Sequence, residues 1–331
     1  MTQAVALAQL GNSGVNFRNK IINGNFDIWQ RGTSFTNAGY SADRWFTTAD
    51  TNSGWTVSRQ AFTVGQTEVP NEPTYFLRFA ISASNLAGPT VQQRIEDVRT
   101  FAGKTVTATF YAKVSAGSTF TPGYFRMTQN FGSGGSADAF VIANETLTAL
   151  TSSWAKYTYT FNVPSIAGKT IGAGNYVTFM FRIPDSTTTT VDFAQVQVEE
   201  GTTATAFEQR PIGTELALCQ RYYEKSYDQA TVPGTNTSTG MLINRGTAQA
   251  GGTFGGSIPF KVEKRAASTV TLYTPAGASG SWQYAISGTS STVGMTAVDI
   301  ASSGCRLNSS STITAFQACE TNGHFVASAE L

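Results

Sequence analysis

The chain has 331 residues, of which 13 % are charged, 40 % hydrophobic and 12 % aromatic, with a formal net charge of +1. A charged share about half the usual ~25 % and a net charge so near zero exclude a general electrostatic pull toward nucleic acid or acidic membranes. The apolar fraction suffices for real cores, so the surface falls to Ser, Thr, Asn, Gln and Gly, a neutral polar skin suited to work outside cells on neutral or sugary partners.

Residues 1–20, MTQAVALAQLGNSGVNFRNK, form an arm too short for a core of its own. No basic residue precedes its brief apolar run, so it does not read as a secretory signal. Val5, Leu7, Leu10, Val15 and Phe17 would be a sticky liability if exposed, so the arm is expected to order only in an assembly. Nowhere does the chain approach the roughly 20 consecutive apolar residues of a membrane span, and no membrane insertion is expected.

Next comes IINGNFDIWQRGTSF, residues 21–35, followed by SADRW, residues 41–45. Asn23, Gly24, Asp27, Trp29, Arg31, Asp43, Arg44 and Trp45 crowd around this short Asn-Gly turn. The cluster could be an active site, a sugar platform or the frame on which a β-domain starts. The frame reading has Trp29 and Trp45 packing the core, with Arg31 and Arg44 salt-bridging Asp27 and Asp43 at its edge.

Beyond it the dominant signal is period-two alternation. TYFLRFAI (74–81) places Tyr75, Leu77, Phe79 and Ile81 on one face; TVTATFYAKV (105–114) does so with Val106, Ala108, Phe110, Ala112 and Val114. KYTYTFNV (156–163) and YVTFMFRI (176–183) repeat the pattern with Tyr157, Tyr159, Phe161, Val163 and with Val177, Phe179, Phe181, Ile183. Successive strand side chains point to opposite faces, so each segment buries one side and wets the other. LAGP, SAGST, GSGGS and SIAGK punctuate them as turns. Residues 21–211 therefore read as an antiparallel β-sandwich of jelly-roll type.

TELALCQRYYEKSY, residues 214–227, reads as a helix after the Pro211-Ile212-Gly213 break, with Leu218, Cys219 and Tyr222 on one stripe. Glu215 near its start and Lys225 near its end suit the helix dipole. This linking segment, 212–227, caps the sandwich or packs against copies of itself. Residues 228–331 read as a smaller C-terminal β-domain with strands in IPFKV, STVTLY, SWQYAI, MTAVDI and GHFVASAEL. The fold class is thus mostly β: arm, jelly-roll sandwich, short helix, small β-domain.

The search for chemistry is mostly negative. His324 is the sole histidine, which excludes metal sites built on several histidines. No G-x-S-x-G elbow, Walker loop, G-x-G-x-x-G entering a helix or C-x-x-C pair is present. Cys219, Cys305 and Cys319 read as thiols, with a Cys305–Cys319 bridge across neighbouring strands as the alternative. The acid pairs Glu96–Asp97 and Glu199–Glu200 read as strand-end and loop charges rather than a glycosidase pair. A non-enzyme is expected. Sugar rings stack on Trp and Tyr while polar side chains take their hydroxyls. Trp55 and Tyr124, beside the loop-like TNSGW and TPGY, are candidates for such a platform, as are Tyr75 and Trp154.

The opening IINGNFDIWQRGTSF with SADRW, the middle GTELALCQRYYEKSY, and IPFKVEKRAASTVTLY leading to ASAEL together resemble the tail-fibre and related adhesion proteins of tailed bacteriophages. EKRAAST departs from the methionine-arginine and proline phrasing of that family. The resemblance implies a virion protein of the tail, assembled in the host cytoplasm as a homotrimer. It further implies contact with other tail proteins and host attachment through bacterial surface polysaccharide. The sandwich also resembles the jelly-roll carbohydrate-binding modules of glycosidases, in which a structural calcium often joins the first and last strands. The ligands here would be Asp27 and Asp192, with Asn25 where that family often has an acid; hydrogen bonds or arginine pairs for the same aspartates are the alternative. Two other functions stay open: a structural virion component without a glycan role, and a carbohydrate-binding accessory of a polysaccharide hydrolase.

Overall fold

A computed structural model describes residues 17–50, 54–83, 87–116, 121–248, 255–286, 289–309 and 317–331. The expected arm thus lies outside the described residues up to position 16. The alternating segments form strands β1 (Ser34–Phe35), β2 (Gly39–Tyr40), β3 (Trp45–Thr48), β4 (Trp55–Ala61), β5 (Tyr75–Ile81) and β6 (Thr90–Glu96). They continue as β7 (Thr105–Val114), β8 (Tyr124–Asn130), β9 (Ala139–Ile142), β10 (Ala155–Asn162), β11 (Tyr176–Arg182) and β12 (Thr189–Glu200). Helix α1 (Ile212–Gln220) precedes β13 (Tyr223–Lys225), β14 (Leu242–Ala248), β15 (Ser257–Pro259), β16 (Thr269–Tyr273) and β17 (Trp282–Ile286). The last are β18 (Thr289–Val293), β19 (Met295–Val298), β20 (Gly304–Ser309) and β21 (Gln317–Ser328).

The chain divides into two units. The first takes in residues up to Asn25, Thr48–Trp55 and Gln60–Arg210; the second takes in Phe26–Thr47, Thr56–Arg59 and Pro211–Leu331. Sequence reading places residues 26–47 in the sandwich domain; by contacts they group with the C-terminal region.

In the first unit β5, β12, β7 and β10 lie side by side in that order, and β6, β11, β8 and β9 form a second such run. All pairings are antiparallel, Phe110 facing Tyr157 and Met180 facing Arg126 across their ladders. The alternation does what its period requires: Val106, Ala108, Phe110, Ala112 and Val114 are buried, as are Val177, Phe179 and Phe181. Phe110 meets Phe125 at 4.9 Å and Phe193 meets Phe181 at 4.4 Å, ring to ring between the two runs. This is a sandwich with an aromatic core. The Asn-Gly turn has a backbone reason: Val196 donates its N–H to the Gly24 carbonyl at 2.8 Å. A Cβ on Gly24 would stand 2.1 Å from the Val196 carbonyl oxygen, so only glycine admits that approach.

The second unit centres on β21, which pairs with β13 and β16 along Ser328–His324 and with β14 and β17 nearer its start. A smaller sheet runs β15-β20-β19. Ile258, Leu272, Trp282, Met295, Leu307 and Phe325 form the core, and Trp282 donates its indole N–H to the His324 carbonyl at 2.7 Å.

The helix corrects the sequence reading. It spans Ile212–Gln220, starting beside Pro211, and stops seven residues short of the expected Tyr227. Tyr223–Lys225 instead pair with Val326–Ser328, because the aromatic Tyr222-Tyr223 step suits a strand edge and the ladder supplies the backbone bonds a further helical turn would have made. Lys225 is therefore no dipole partner. It is buried, donating to the carbonyls of Gln30, Gln229 and Thr231 at 2.7, 2.9 and 2.6 Å.

Candidate functional site

The opening motif is a frame. Trp29 and Trp45 are 4 % and 2 % exposed; Trp29 donates to the Phe26 carbonyl at 2.6 Å and Trp45 packs on Phe26 at 5.0 Å. The same motif contributes to a buried charge cluster with Tyr222, Tyr223 and Glu330. Arg31 bonds Asp43 at 3.4 Å and Glu330 at 2.8 Å, and Arg44 bonds the other oxygen of Glu330. The Arg31 and Arg44 guanidiniums lie 3.6 and 3.4 Å from the ring centroids of Tyr223 and Tyr222. Gln30 donates to Asp43 at 2.5 Å and to the Tyr223 carbonyl at 2.9 Å. Burial raises the Asp43 carboxyl above its ordinary pKa against the opposing pull of Arg31 and Gln30. Of the arginine–aspartate pairing expected between Arg31, Arg44, Asp27 and Asp43, Arg31 meets Asp43. Arg44 pairs with Glu330, a residue so far along the chain that local reading does not reach it.

Groups capable of chemistry are committed elsewhere. His324 is buried and stacked on Tyr227 at 3.8 Å. Its Nε2–H donates to the Thr237 carbonyl at 2.9 Å, so Nδ1 accepts from the Ser226 hydroxyl at 3.0 Å; Ser226 Oγ in turn accepts from Phe325 N–H at 3.1 Å. Burial lowers the pKa of the ring and favours its neutral form, the form in which Nδ1 accepts. All three cysteines are buried thiols rather than disulfides, and burial raises Cys305 to about 11. Glu199 accepts from Thr205 and Gln197, and Glu200 pairs with Lys104 at 2.5 Å.

The calcium donor set does not fit. Both Asp192 oxygens accept from Arg78, its cross-strand neighbour, at 2.8 and 2.9 Å. Among the described residues no three His, Cys, Asp or Glu side chains gather as a metal would need. Calcium takes six to eight oxygens, and Asp192 already has its cation.

The four glycan candidates separate sharply. Trp55 is 2 % exposed and meets Phe79 edge-on at 5.7 Å; it is core, because its loop-like neighbours precede a strand whose inward position it occupies. Trp154 is 9 % exposed, wedged between Phe62 and Phe76 at 5.3 Å each. Tyr75 is half-buried at the start of β5, and Tyr124 is half-buried on β8.

Tyr124 belongs to a surface that the other three do not share. On the outward face of β9, β8, β11 and β6, cross-strand pairs stack in rows: Tyr124–Arg182–Thr90, then Ile142–Arg126–Met180–Gln92, then Phe140–Thr128–Thr178–Arg94. Phe140 and Ile142 are 61 % and 70 % exposed. The Arg126 guanidinium lies 4.5 Å from the centroids of both Tyr124 and Phe140. Arg182 lies 5.6 Å from Tyr124 and Arg94 5.0 Å from Tyr176. Apolar ring faces beside fixed donors are what a sugar chain needs. Sequence reading missed Arg126, Arg182, Phe140 and Tyr176; the signal was the polar half of the same alternation, YFRMTQN and YVTFMFR read at their odd positions.

A second concavity, about 270 Å³, lies on the outer side of β7, bounded by Pro70, Tyr111, Lys156, Gln195 and Phe207. Gln195 sits in the β12 bulge at φ 47°, and its Oε1 is buried without a donor.

No protein-family model matches the chain, and no curated protein matches its sequence. Solved structures similar to it include a xylan-binding domain from Paenibacillus barcinonensis, 12 % identical with TM-score 0.32 over 53 % of this chain and 99 % of that one. Another is the N-terminal cellulose-binding domain of a Cellulomonas fimi β-1,4-glucanase, 17 % identical with TM-score 0.32 over 54 % and 95 %. A third is the enzymatically active domain of tailspike protein 4 from bacteriophage CBA120, 14 % identical with TM-score 0.35. The match takes in 56 % of this chain and 22 % of the tailspike. At such identities and scores, what those proteins bind or cleave belongs to them alone.

Proposed function

We propose that the chain is a non-enzymatic adhesion protein of a phage tail, holding bacterial surface glycans on the outward face of β9-β8-β11-β6. The observation that carries the glycan reading is the Tyr124–Arg126–Phe140 group, with both rings 4.5 Å from one guanidinium beside the exposed Phe140 and Ile142. The phage reading rests on the ordered resemblance of the opening, middle and closing motifs, and on nothing in the geometry of the face. On it the protein works as a homotrimer alongside other tail proteins, with the arm ordering in the assembly, and is made in the host cytoplasm. Weak single sites gain by avidity when several copies act together.

The test is retention of purified chain on bacterial surface polysaccharides, comparing the parent with a Tyr124→Ala/Phe140→Ala double variant. The variant is expected to lose at least about tenfold in affinity, since base- or sugar-like ring stacking contributes about 1–3 kcal/mol. Equal retention by both removes the face from the reading. Burial of Trp55 and Trp154 favours one second reading, a structural virion component with no glycan role. Particle incorporation without polysaccharide binding would support it. Light scattering at three times the chain mass would support the trimer, and unchanged assembly after deletion of residues 1–17 would sink the role of the arm.

A further inference from the structure

Arg126 differs from other arginines of its unit in what neutralises it. Arg78 has Asp192, Arg99 has Asp97, and Arg182 has Asp185. The Arg126 guanidinium lies 4.5 Å from the ring centroids of Tyr124 and Phe140, and the Met180 thioether accepts weakly from its Nη2 at 3.8 Å. Among the described residues no carboxylate pairs with it, and its buried Nε–H has no acceptor.

The physical consequences follow from the group. A guanidinium carries its donors in one plane. Two rings lie beside it, and neither neutralises its charge. They also fix its orientation and strip part of its water, so its field is screened less than that of an exposed side chain. What remains is a pre-set, unneutralised, planar donor edge on an outward surface flanked by stacking rings. A carboxylate matches such an edge, taking two parallel N–H bonds from it.

We infer that the glycan bound on this face is acidic: Arg126 receives the carboxylate of a uronic acid residue while Tyr124 and Phe140 lie against the sugar rings beside it. This rests on the glycan reading given above and adds the substrate class to it. Arg182, paired with Asp185 and 5.6 Å from the Tyr124 ring, is the supporting cation rather than the selecting one.

The experiment compares uronate-bearing bacterial polysaccharides with the same polymers after carboxyl reduction, using the full chain. The native polymers are expected to bind at least about tenfold more tightly, the effect of one charge-assisted bond pair, and to lose that margin as salt is raised. Arg126→Gln should bring the two forms to within about twofold, and Arg126→Lys should keep part of the preference, retaining charge without the planar fork. Circular dichroism and melting of both variants establish that they fold. Equal binding of native and reduced polymers by the parent chain overturns acid selection and leaves glycan binding standing. Binding to neither form removes both.

Discussion

Two groups of arginines in this molecule lie over tyrosine rings, and they are used in opposite ways. In the second unit Arg31 and Arg44 rest 3.6 and 3.4 Å from Tyr223 and Tyr222, and Glu330 bonds both. In the first unit Arg126 rests 4.5 Å from Tyr124 with no acid to meet it. The same pair of residue types is cement where a carboxylate completes it and, on the reading proposed above, a receptor edge at Arg126. The stacking geometry alone does not distinguish the two; the counter-charge does.

The sealed side should break hardest. Glu330→Gln leaves Arg44, 1 % exposed at its side chain, buried without its counter-charge, a change that costs about 3–5 kcal/mol; urea unfolding reports it, and a loss under about 1 kcal/mol would mean the cluster is wetter than its burial implies. On the open side the largest effect is on binding: Arg126→Gln is expected to reduce affinity for an acidic polysaccharide about tenfold, or ~1.4 kcal/mol, by isothermal titration. Next is a pH effect confined to the sealed unit. The folded pKa of His324 is lowered by burial, so below the unfolded value of about 6.5 the unfolded chain binds a proton that the folded one refuses. Stability is therefore full above that pH and falls on acidification, by at most ~1.4 kcal/mol per pH unit; His324→Gln should flatten the pH dependence of melting between about pH 7.5 and 5. Smallest is the stability change on Phe140→Ala, expected within about 0.5 kcal/mol for a residue 61 % exposed, which separates a binding role from a packing one.

The sandwich was legible because burial on one face forces period two, and every position of Val106–Val114 named from alternation is buried. Trp29 and Trp45 were legible as frame for the same reason: their phrase mixes turn residues with large apolar ones. The site was half legible. Tyr124 is half-buried on its strand, whereas Trp55 and Trp154 are buried, because a neighbouring Gly or Ser says nothing about the direction in which a strand-edge tryptophan points. Phe140 escaped notice because an exposed ring on a short strand looks like core in one dimension. The Arg44–Glu330 pair could not be read locally, since its members are 286 residues apart.

That separation also sets a timetable. Strand β21 emerges from the ribosome after every strand it pairs with, and Glu330 follows Arg44 by 286 residues. At about 5–20 residues per second the wait is roughly 14–57 s. Throughout it, the early part of the cluster is a pair of cations beside one acid, and a nascent chain halted before Glu330 leaves Arg44 without the counter-charge that the finished chain supplies.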